Sequence, residues 1–598
     1  MSKILISILI LLAAGLPAQM VPQMYSVHKE ESDYYSQFTK EELARMFEPA
    51  KEAPPRVYPR GACKLDKIVF GFHPYWEEGA EVHYQWDLLS DFCYFGYKVD
   101  PATGAPSTVH EWLTAGSVNA AKAHGTRLHL AMTLFSGHDK FLNNKTAQRN
   151  FSNTIISLLK KRNAIGVNLD IEAVPKTLKR QLTAFVLFFG NELHKAIPGS
   201  ILSIDIPAVD WSGTFEIKKM NKVVDIYFVM GYGYYYGGSS ESGPTAPLYS
   251  FVDYYDYNLS RSVSYYQSVG MPLDKMVLGL PYYGKTWKVS KTGAPAKTLG
   301  KGTTVFYRDT RKNENGYFSR SNARWAGTCF ANYFLYKKSN AWYHAFVLSA
   351  NEQRSKMEII RLRGLAGTGM WALGYDDGYN DLWDVLRETM TECYQQPCKG
   401  TLYDNGGPSG DYYNSESNSV MLHPAEKGRL KLKFSYFSTV KDEDYLSIYD
   451  GKDAKAKLIG KYTGTISVPE IMSTGPYLYL RFHSNGATRR KGYKAVWTCD
   501  TMDVGTVNPE VKPGVSYNVT PNPSQGKTVL HLNGLAPGRY ELFVYNLHGK
   551  KMVQKTIHSS GQPVDETIDL KSSPKGFYKF YVKNKSHTIM VSGSVVIQ

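Results

Sequence analysis

Between Lys67 and about Cys393, short apolar runs alternate with stretches of helical length and amphipathic pattern. The runs predict strands at Ile68–His73, Phe92–Tyr97, Arg127–Leu134, Gly166–Glu172, Leu202–Pro207, Ile226–Tyr232, Met276–Tyr282 and Gly367–Trp371. Buried parallel strands read as near-continuous apolar runs, and strand-then-helix alternation is what a parallel sheet with helical crossovers requires. Eight such units predict an α/β fold, a (β/α)8 TIM barrel over residues 63–396. The connection Lys285–Ala350 is too long for a bare loop and carries β-like and aromatic segments, so a small α+β insertion is expected there.

Past Cys398 the period changes to two. Alternating runs at Leu430–Phe434, Leu446–Tyr449 and Tyr477–Phe482, separated by Gly-rich turns, predict a β-sandwich over 397–500. A Pro/Val/Gly linker at 501–516 leads to a second set of short strands over 517–598, a second all-β sandwich. At the other end, Lys3, the apolar run Ile4–Leu12 and the small residues Ala13–Ala18 have the order of an export signal, residues 1–18. Residues 19–62 are polar and Pro-containing, with one short helix near Glu41–Phe47, and read as a leader or linker.

Composition narrows the function. The chain has 598 residues, a net charge of +16, and 44 Tyr in an aromatic share of 13%. Its Lys and Arg are scattered and no nucleic-acid reader motif accompanies them, so no nucleic-acid partner is expected. No run reaches the roughly 20 apolar residues of a spanning helix, so no integral membrane segment is expected. The six cysteines suit an oxidising compartment and lack CxxC metal spacing. Cys398 and Cys499 bracket the first β-rich region, and Cys63 and Cys393 the large domain before it; both pairings stand as hypotheses among fifteen connectivities.

The candidate chemistry lies in Gly166-Val167-Asn168-Leu169-Asp170-Ile171-Glu172. Alternation puts Asn168, Asp170 and Glu172 on one strand face and the apolar residues on the other. In a barrel the polar set points inward, and Glu172 sits at the C-terminal strand end, where barrel active sites are built. Two carboxylates about 7 Å apart on one face separate their pKa values, which leaves one able to act as a general acid. Taken alone, D-x-E more often serves solubility or a helix cap.

The neighbouring residues make the difference. GVNLDIE resembles the family 18 glycoside hydrolase signature, written DGxDxDxE. IVFGFHPYW resembles that family's opening strand, and Met230-Gly231-Tyr232 followed by Gly243–Leu248 its M-x-Y-D strand. Val277–Gly284 resembles its seventh strand, and Gly369–Asp377, with Trp371, its eighth. The resemblance implies hydrolysis of β-1,4-linked N-acetylglucosamine-containing glycans such as chitin, peptidoglycan or N-glycans, with retention and with the substrate's acetamido group as nucleophile. It implies Glu172 as proton donor, Asp170 and Tyr232 as its catalytic partners on the acetamido group, and Trp371 as the floor of the sugar subsite. Asn168, Tyr283, Trp287 and Met230 complete the expected substrate contacts. No cofactor and no metal are implied.

Three motifs depart from the family pattern. Ile165 and Asn168 stand at the first two signature aspartates, Gly233 stands where M-x-Y-D has Asp, and Leu134-Phe135-Ser136-Gly137 replaces S-x-G-G. Asn at 168 resembles the subgroup with spore-cortex and peptidoglycan-associated members. Trp76, Tyr234, Tyr235 and Tyr236 suit either sugar stacking or ordinary packing. His73 suits a structural role, and Asp205 is inward by alternation.

Residues 398–499 resemble a CUB domain through Tyr403–Gly407, Asp444–Gly451 and Gly492–Trp497, with Asp404 and Asp444 as weak calcium candidates. Residues 517–598 resemble the C-terminal sorting domain of type IX secretion cargo through Pro521-Asn522-Pro523, Tyr545–Lys550 and Lys575–Tyr578. That resemblance implies the type IX secretion machinery as a partner and an extracellular or outer-membrane surface location in a Bacteroidetes-type bacterium. A non-catalytic glycan-binding lectin, or an adhesin working through the CUB-like domain, is the rival reading on the same barrel.

Overall fold

The computed structural model describes residues 25–47, 63–424, 428–500, 515–546, 551–586 and 588–597. The export-signal segment 1–18 and nearly all of the linker 501–516 lie outside the described residues. The chain divides into two compact units, residues 1–499 and 500–598.

The first unit is built on eight parallel strands: β1 Ile68–Pro74, β2 Asp91–Val99, β3 Arg127–Leu134, β4 Gly166–Ile171, β5 Ile201–Pro207, β6 Ile226–Met230, β7 Met276–Pro281 and β8 Gly367–Trp371. Each pairs with the next, and β8 returns to β1 with Ile68 opposite Gly367, which closes the barrel. Side-chain size makes the closure possible. A Cβ on Gly367 would lie 2.0 Å from the Ile68 carbonyl oxygen, so the β1–β8 seam admits only glycine there. Gly279 and Gly369 in turn leave space for Phe228, which meets Phe70 and Phe72 in the barrel interior. Filling a small barrel by opposing large and small side chains gives it a packed centre and leaves the mouth for chemistry.

Two strands are shorter than their sequence pattern. β4 ends at Ile171 and β6 at Met230, so Glu172 and Tyr232 stand just beyond their strands, on the loops of the mouth. Between β7 and β8 the insertion forms a five-stranded antiparallel sheet with a short helix, Tyr307–Lys312. The β-rich segment that follows has two four-stranded sheets around Leu432, Leu446, Leu480, Phe482 and Trp497. It docks on the barrel through buried polar contacts, including Asn258 Nδ2 donating to Tyr413 Oη at 2.6 Å. Disulfides join Cys63 to Cys393 and Cys398 to Cys499, the two pairings expected, while Cys93 and Cys329 are buried free thiols. The second unit is a three-stranded and a four-stranded antiparallel sheet around Leu530, Leu542, Phe580 and Val582. Among the described residues no helix is long and apolar enough to cross a membrane.

In the stretch read as a leader or linker, the short helix expected near Glu41–Phe47 is present and a second, unexpected helix precedes it. The two, α1 Val27–Tyr35 and α2 Lys40–Met46, fold against the barrel. Ser26 caps α1 by accepting from the Lys29 amide, and Thr39 caps α2 in a reciprocal box with Glu42. The buried face of α1 is Val27, His28, Glu31 and Tyr35. Two of those four are polar, so apolar periodicity fails to reveal the helix. Its partners are polar groups in the barrel mouth.

Candidate active site

Strand alternation brings the expected cluster together. Asn168 and Asp170 point into the barrel and are fully buried, and Glu172 follows at the mouth with its side chain 9% exposed. Asn168 Nδ2 donates to Asp205 Oδ1 at 2.7 Å and to Ser203 Oγ at 3.2 Å, which ties the fourth strand to the fifth. The turn after the strand is strained: Ala173 has φ of +60°, and His138 Nε2 lies 2.8 Å from the Glu172 carbonyl oxygen. A non-glycine residue held in the left-handed region persists only where its surroundings fix it, and such places cluster at functional sites.

Electrostatics follow from burial. Removal from water raises the Asp170 and Asp205 carboxyls well above the ordinary range. Burial, then the charge of Asp170, pushes Glu172 up to about 8. A carboxyl that stays protonated at neutral pH at a barrel mouth has the proton inventory of a general acid.

The remaining space over the cluster is filled by the chain itself. Ser26 Oγ donates to Glu172 Oε1 at 2.6 Å. The His28 ring lies with Nδ1 2.8 Å from Asp170 Oδ2 and Nε2 2.8 Å from Tyr232 Oη. It stacks on Trp371 with centroids 3.7 Å apart. Burial lowers the His28 pKa to about 4, so the imidazole is neutral, and a ring donating from Nδ1 and accepting at Nε2 satisfies both neighbours. Glu31 Oε2 accepts from Trp371 Nε1 at 2.8 Å and Tyr375 Oη at 2.7 Å. Tyr35 stacks on Trp76, and Tyr25 on Tyr236. A cavity stays beside Glu172, lined among others by Met230, Gly233, Trp211 and Tyr255.

Of the residues expected at the site, Glu172, Asp170, Tyr232, Trp371 and Asn168 converge, and Met230 lines the adjoining cavity. Tyr283 lies against Tyr232, edge to face at 6.2 Å. Trp287 is placed elsewhere: it is buried in the insertion sheet against Phe346, because a Cβ on Gly302 would overlap its indole and the ring fills that space. His73 is structural, held 2.7 Å from Tyr84 Oη and stacked on Phe92. Residues the sequence did not single out for the site are His28, Glu31, Ser26 and Tyr375. The signal for Tyr375 is its place in the Gly369–Asp377 match, and that for the N-terminal residues is the pair of Ser and Thr caps preceding acidic first turns.

His28, Asp170 and Asp205 offer ligand atoms within 4.8 Å of one another, the one such group of three among the described residues. Hydrogen bonds engage Asp170 Oδ2 through His28 and Asp205 Oδ1 through Asn168, while Asp170 Oδ1 and Asp205 Oδ2 are buried without a hydrogen-bond partner. In the β-sandwich, Asp404 spends both oxygens on the Gly406 and Tyr493 amides, and Asp444 on the Asn485 amide and Tyr412 hydroxyl.

Fold and site define an α/β-barrel protein with a carboxylate cluster at the mouth of its fourth strand. The family model for glycosyl hydrolases family 18 matches residues 34–376, more than half of the chain, and the chain belongs to that family. A CUB domain model matches residues 396–497 and a secretion system C-terminal sorting domain model residues 518–598. Chitinase C of Streptomyces lividans is 24% identical over 226 residues, covering 37% of this chain and 35% of that protein. The uncharacterized glycosylase YvbX of Bacillus subtilis is 24% identical over 258 residues, covering 42% of this chain and 68% of that protein. The chain thus spans about a third of the length of the first relative and two thirds of the second. A family 18 chitinase structure from Cycas revoluta, in complex with (GlcNAc)4, matches with a TM-score of 0.47 at 18% identity, covering 54% of this chain and 99% of that one.

Proposed function

We propose that the barrel is a secreted or cell-surface glycoside hydrolase that cleaves β-1,4-linked N-acetylglucosamine glycans with retention, using the substrate's acetamido group as nucleophile. The observation that carries this is the convergence of Asp170, Tyr232 and Glu172 over the indole of Trp371, within reach of one small ring and its neighbouring hydroxyl. Glu172 gives its proton to the glycosidic oxygen while the acetamido carbonyl oxygen attacks the anomeric carbon, so the leaving sugar departs as an alcohol and an oxazolinium ring forms. Asp170 accepts from the acetamido N–H and balances the positive charge that develops on the oxazolinium ring; the Tyr232 hydroxyl donates to the carbonyl oxygen. Water then attacks the anomeric carbon, Glu172 takes its proton, and the ring reopens with the original configuration. The matched sorting domain supports a secretion-system partner and a location outside the cytoplasm.

The test is substrate chemistry. A chain beginning at Cys63 is expected to cut N-acetylglucosamine oligomers, with the β-anomer appearing first by NMR, and to leave glucose oligomers of equal length intact. Equal cutting of both, or first appearance of the α-anomer, overturns the acetamido mechanism. Purified peptidoglycan beside chitin distinguishes the polymer.

Asp170→Asn in the same chain is expected to lower turnover about 100-fold, since an amide neither balances the oxazolinium charge nor accepts equally from N–H. It also removes a negative charge that raises Glu172. A general acid is lost as pH rises through its pKa, so the alkaline limb of the rate profile moves to lower pH. An unmoved limb shows that Asp170 does not set the acidity of the donor.

A further inference from the structure

We infer that residues 25–47 are a built-in inhibitor: a cap that holds the cleft closed by presenting a side-chain imitation of the substrate's acetamido group. The inference rests on the hydrolase reading of the site for what is inhibited, though not for the occlusion.

His28 carries the argument. A neutral imidazole has an N–H donor and a nitrogen acceptor separated by one carbon, the same order as the N–H, carbon and oxygen of an acetamide. Its donor faces Asp170 and its acceptor faces Tyr232, and its ring lies flat on Trp371. Ser26 adds a hydroxyl that donates to Glu172 Oε1 and so occupies the space beside the expected proton donor.

The rest of the segment is matched to the cleft in the same way. Buried polar side chains are costly unless partnered, and a segment kept only for packing would bury apolar ones. Here His28 and Glu31 are buried, and the hydrogen bonds of both side chains go to residues of the barrel mouth. Gly233, the position where the family pattern has Asp, has φ of +81°, which favours glycine, and the Tyr25 ring lies over it at ordinary contact distance, 3.5 Å from where a Cβ would stand. Glu30, 3.3 Å from Lys285 and 3.1 Å from Lys301, fastens α1 to the insertion, and Tyr35 covers Trp76. A glycan cannot lie on Trp371 while His28 does.

The test uses the full chain. In His28→Asp/Glu31→Lys, a fourth carboxylate is set beside Asp170, Glu172 and Asp205, and an ammonium faces the Trp371 and Tyr375 donors; both changes lie outside the barrel. Hydrolysis of an N-acetylglucosamine tetramer is expected to rise about 100-fold over the unsubstituted chain, as when an open state goes from about 1% to nearly full population. Hydrogen exchange should find the α1 amides protected in the unsubstituted chain and fast in the variant. A synthetic peptide of residues 25–47 should slow the variant again, and the same peptide with His28→Ala should do so at least about tenfold more weakly. Tyr35→Asp, which removes the stack on Trp76 and the edge contact with Phe47 but keeps His28 and Glu31, gives an independent variant with a smaller gain. Equal rates for the unsubstituted chain and both variants, or fast-exchanging α1 amides in the unsubstituted chain, overturn the inference. If no form cuts the tetramer while α1 is protected, then released, then replaced by the peptide, the occlusion stands and the hydrolase reading falls.

Discussion

Glu172→Gln, placed in the chain with an open cleft, is expected to lower turnover of N-acetylglucosamine oligomers by about 10²–10⁴-fold with little change in KM. The amide keeps the size and hydrogen-bonding reach of the carboxyl but has no proton to give to the glycosidic oxygen. The neighbours cannot replace it. Asp170 and Asp205 are fully buried deeper in the barrel, and Asn168 engages Asp205 Oδ1. The pH profile supplies the second readout. Burial, helped by the Asp170 charge, pushes Glu172 up to about 8 beneath the N-terminal segment. Opening the cleft hydrates the carboxyl and lowers that value, so the open enzyme loses rate as pH rises through a point below 8, and the Gln variant has no such limb. Should the variant retain most of its activity, the donor is another group. If the open chain binds oligomers and neither form cuts them, the barrel is a lectin.

The sequence makes some of this legible and hides the rest for physical reasons. The eight barrel strands are readable because both faces of a buried parallel strand are apolar, and the site is readable because Asn168, Asp170 and Glu172 interrupt one such run at every second position. The disulfides follow the domain edges. The N-terminal cap is hidden because a helix that docks into a polar cleft has a polar buried face: His28 and Glu31 look like solvent-facing positions until Asp170, Tyr232, Trp371 and Tyr375 are seen opposite them. Trp287 shows the opposite error. An aromatic six residues after the end of the seventh strand suggests a cleft wall, yet the strand Tyr283–Val289 belongs to the insertion, and alternation there turns the indole inward.

Of the ion pairs that join that insertion to the barrel, Arg308–Glu77 is the most buried, and its loss should be the most damaging single change outside the acid cluster. Arg308 Nη1 and Nη2 meet Glu77 Oε2 and Oε1 at 3.0 and 2.9 Å, and Nη1 also donates to the Gly374 carbonyl at 3.0 Å. Glu77 follows the first strand, Gly374 the eighth, and Arg308 lies in the insertion, so one guanidinium joins three parts of the mouth; the Phe47 ring of the cap lies 5.0 Å from it. Glu77 is 1% exposed, so Arg308→Met leaves a carboxylate buried without its cation, and such breakage costs about 3–5 kcal/mol. Burial already holds the Glu77 carboxyl above its usual value, with Arg308 pulling it back, and the substitution releases it upward. A carboxyl whose folded pKa is raised contributes its stability below the ordinary value and loses it as pH rises through the folded one. The defect of Arg308→Met is therefore smallest in acid and grows toward neutral pH, measured by denaturant unfolding across that range. Arg308→Met combined with Glu77→Leu removes both charges and is expected to recover most of the loss, since replacing a buried pair by apolar side chains is close to neutral. A double variant as unstable as the single one would show that the guanidinium's contacts to Gly374 and the surrounding rings, rather than the buried charge, hold the insertion in place.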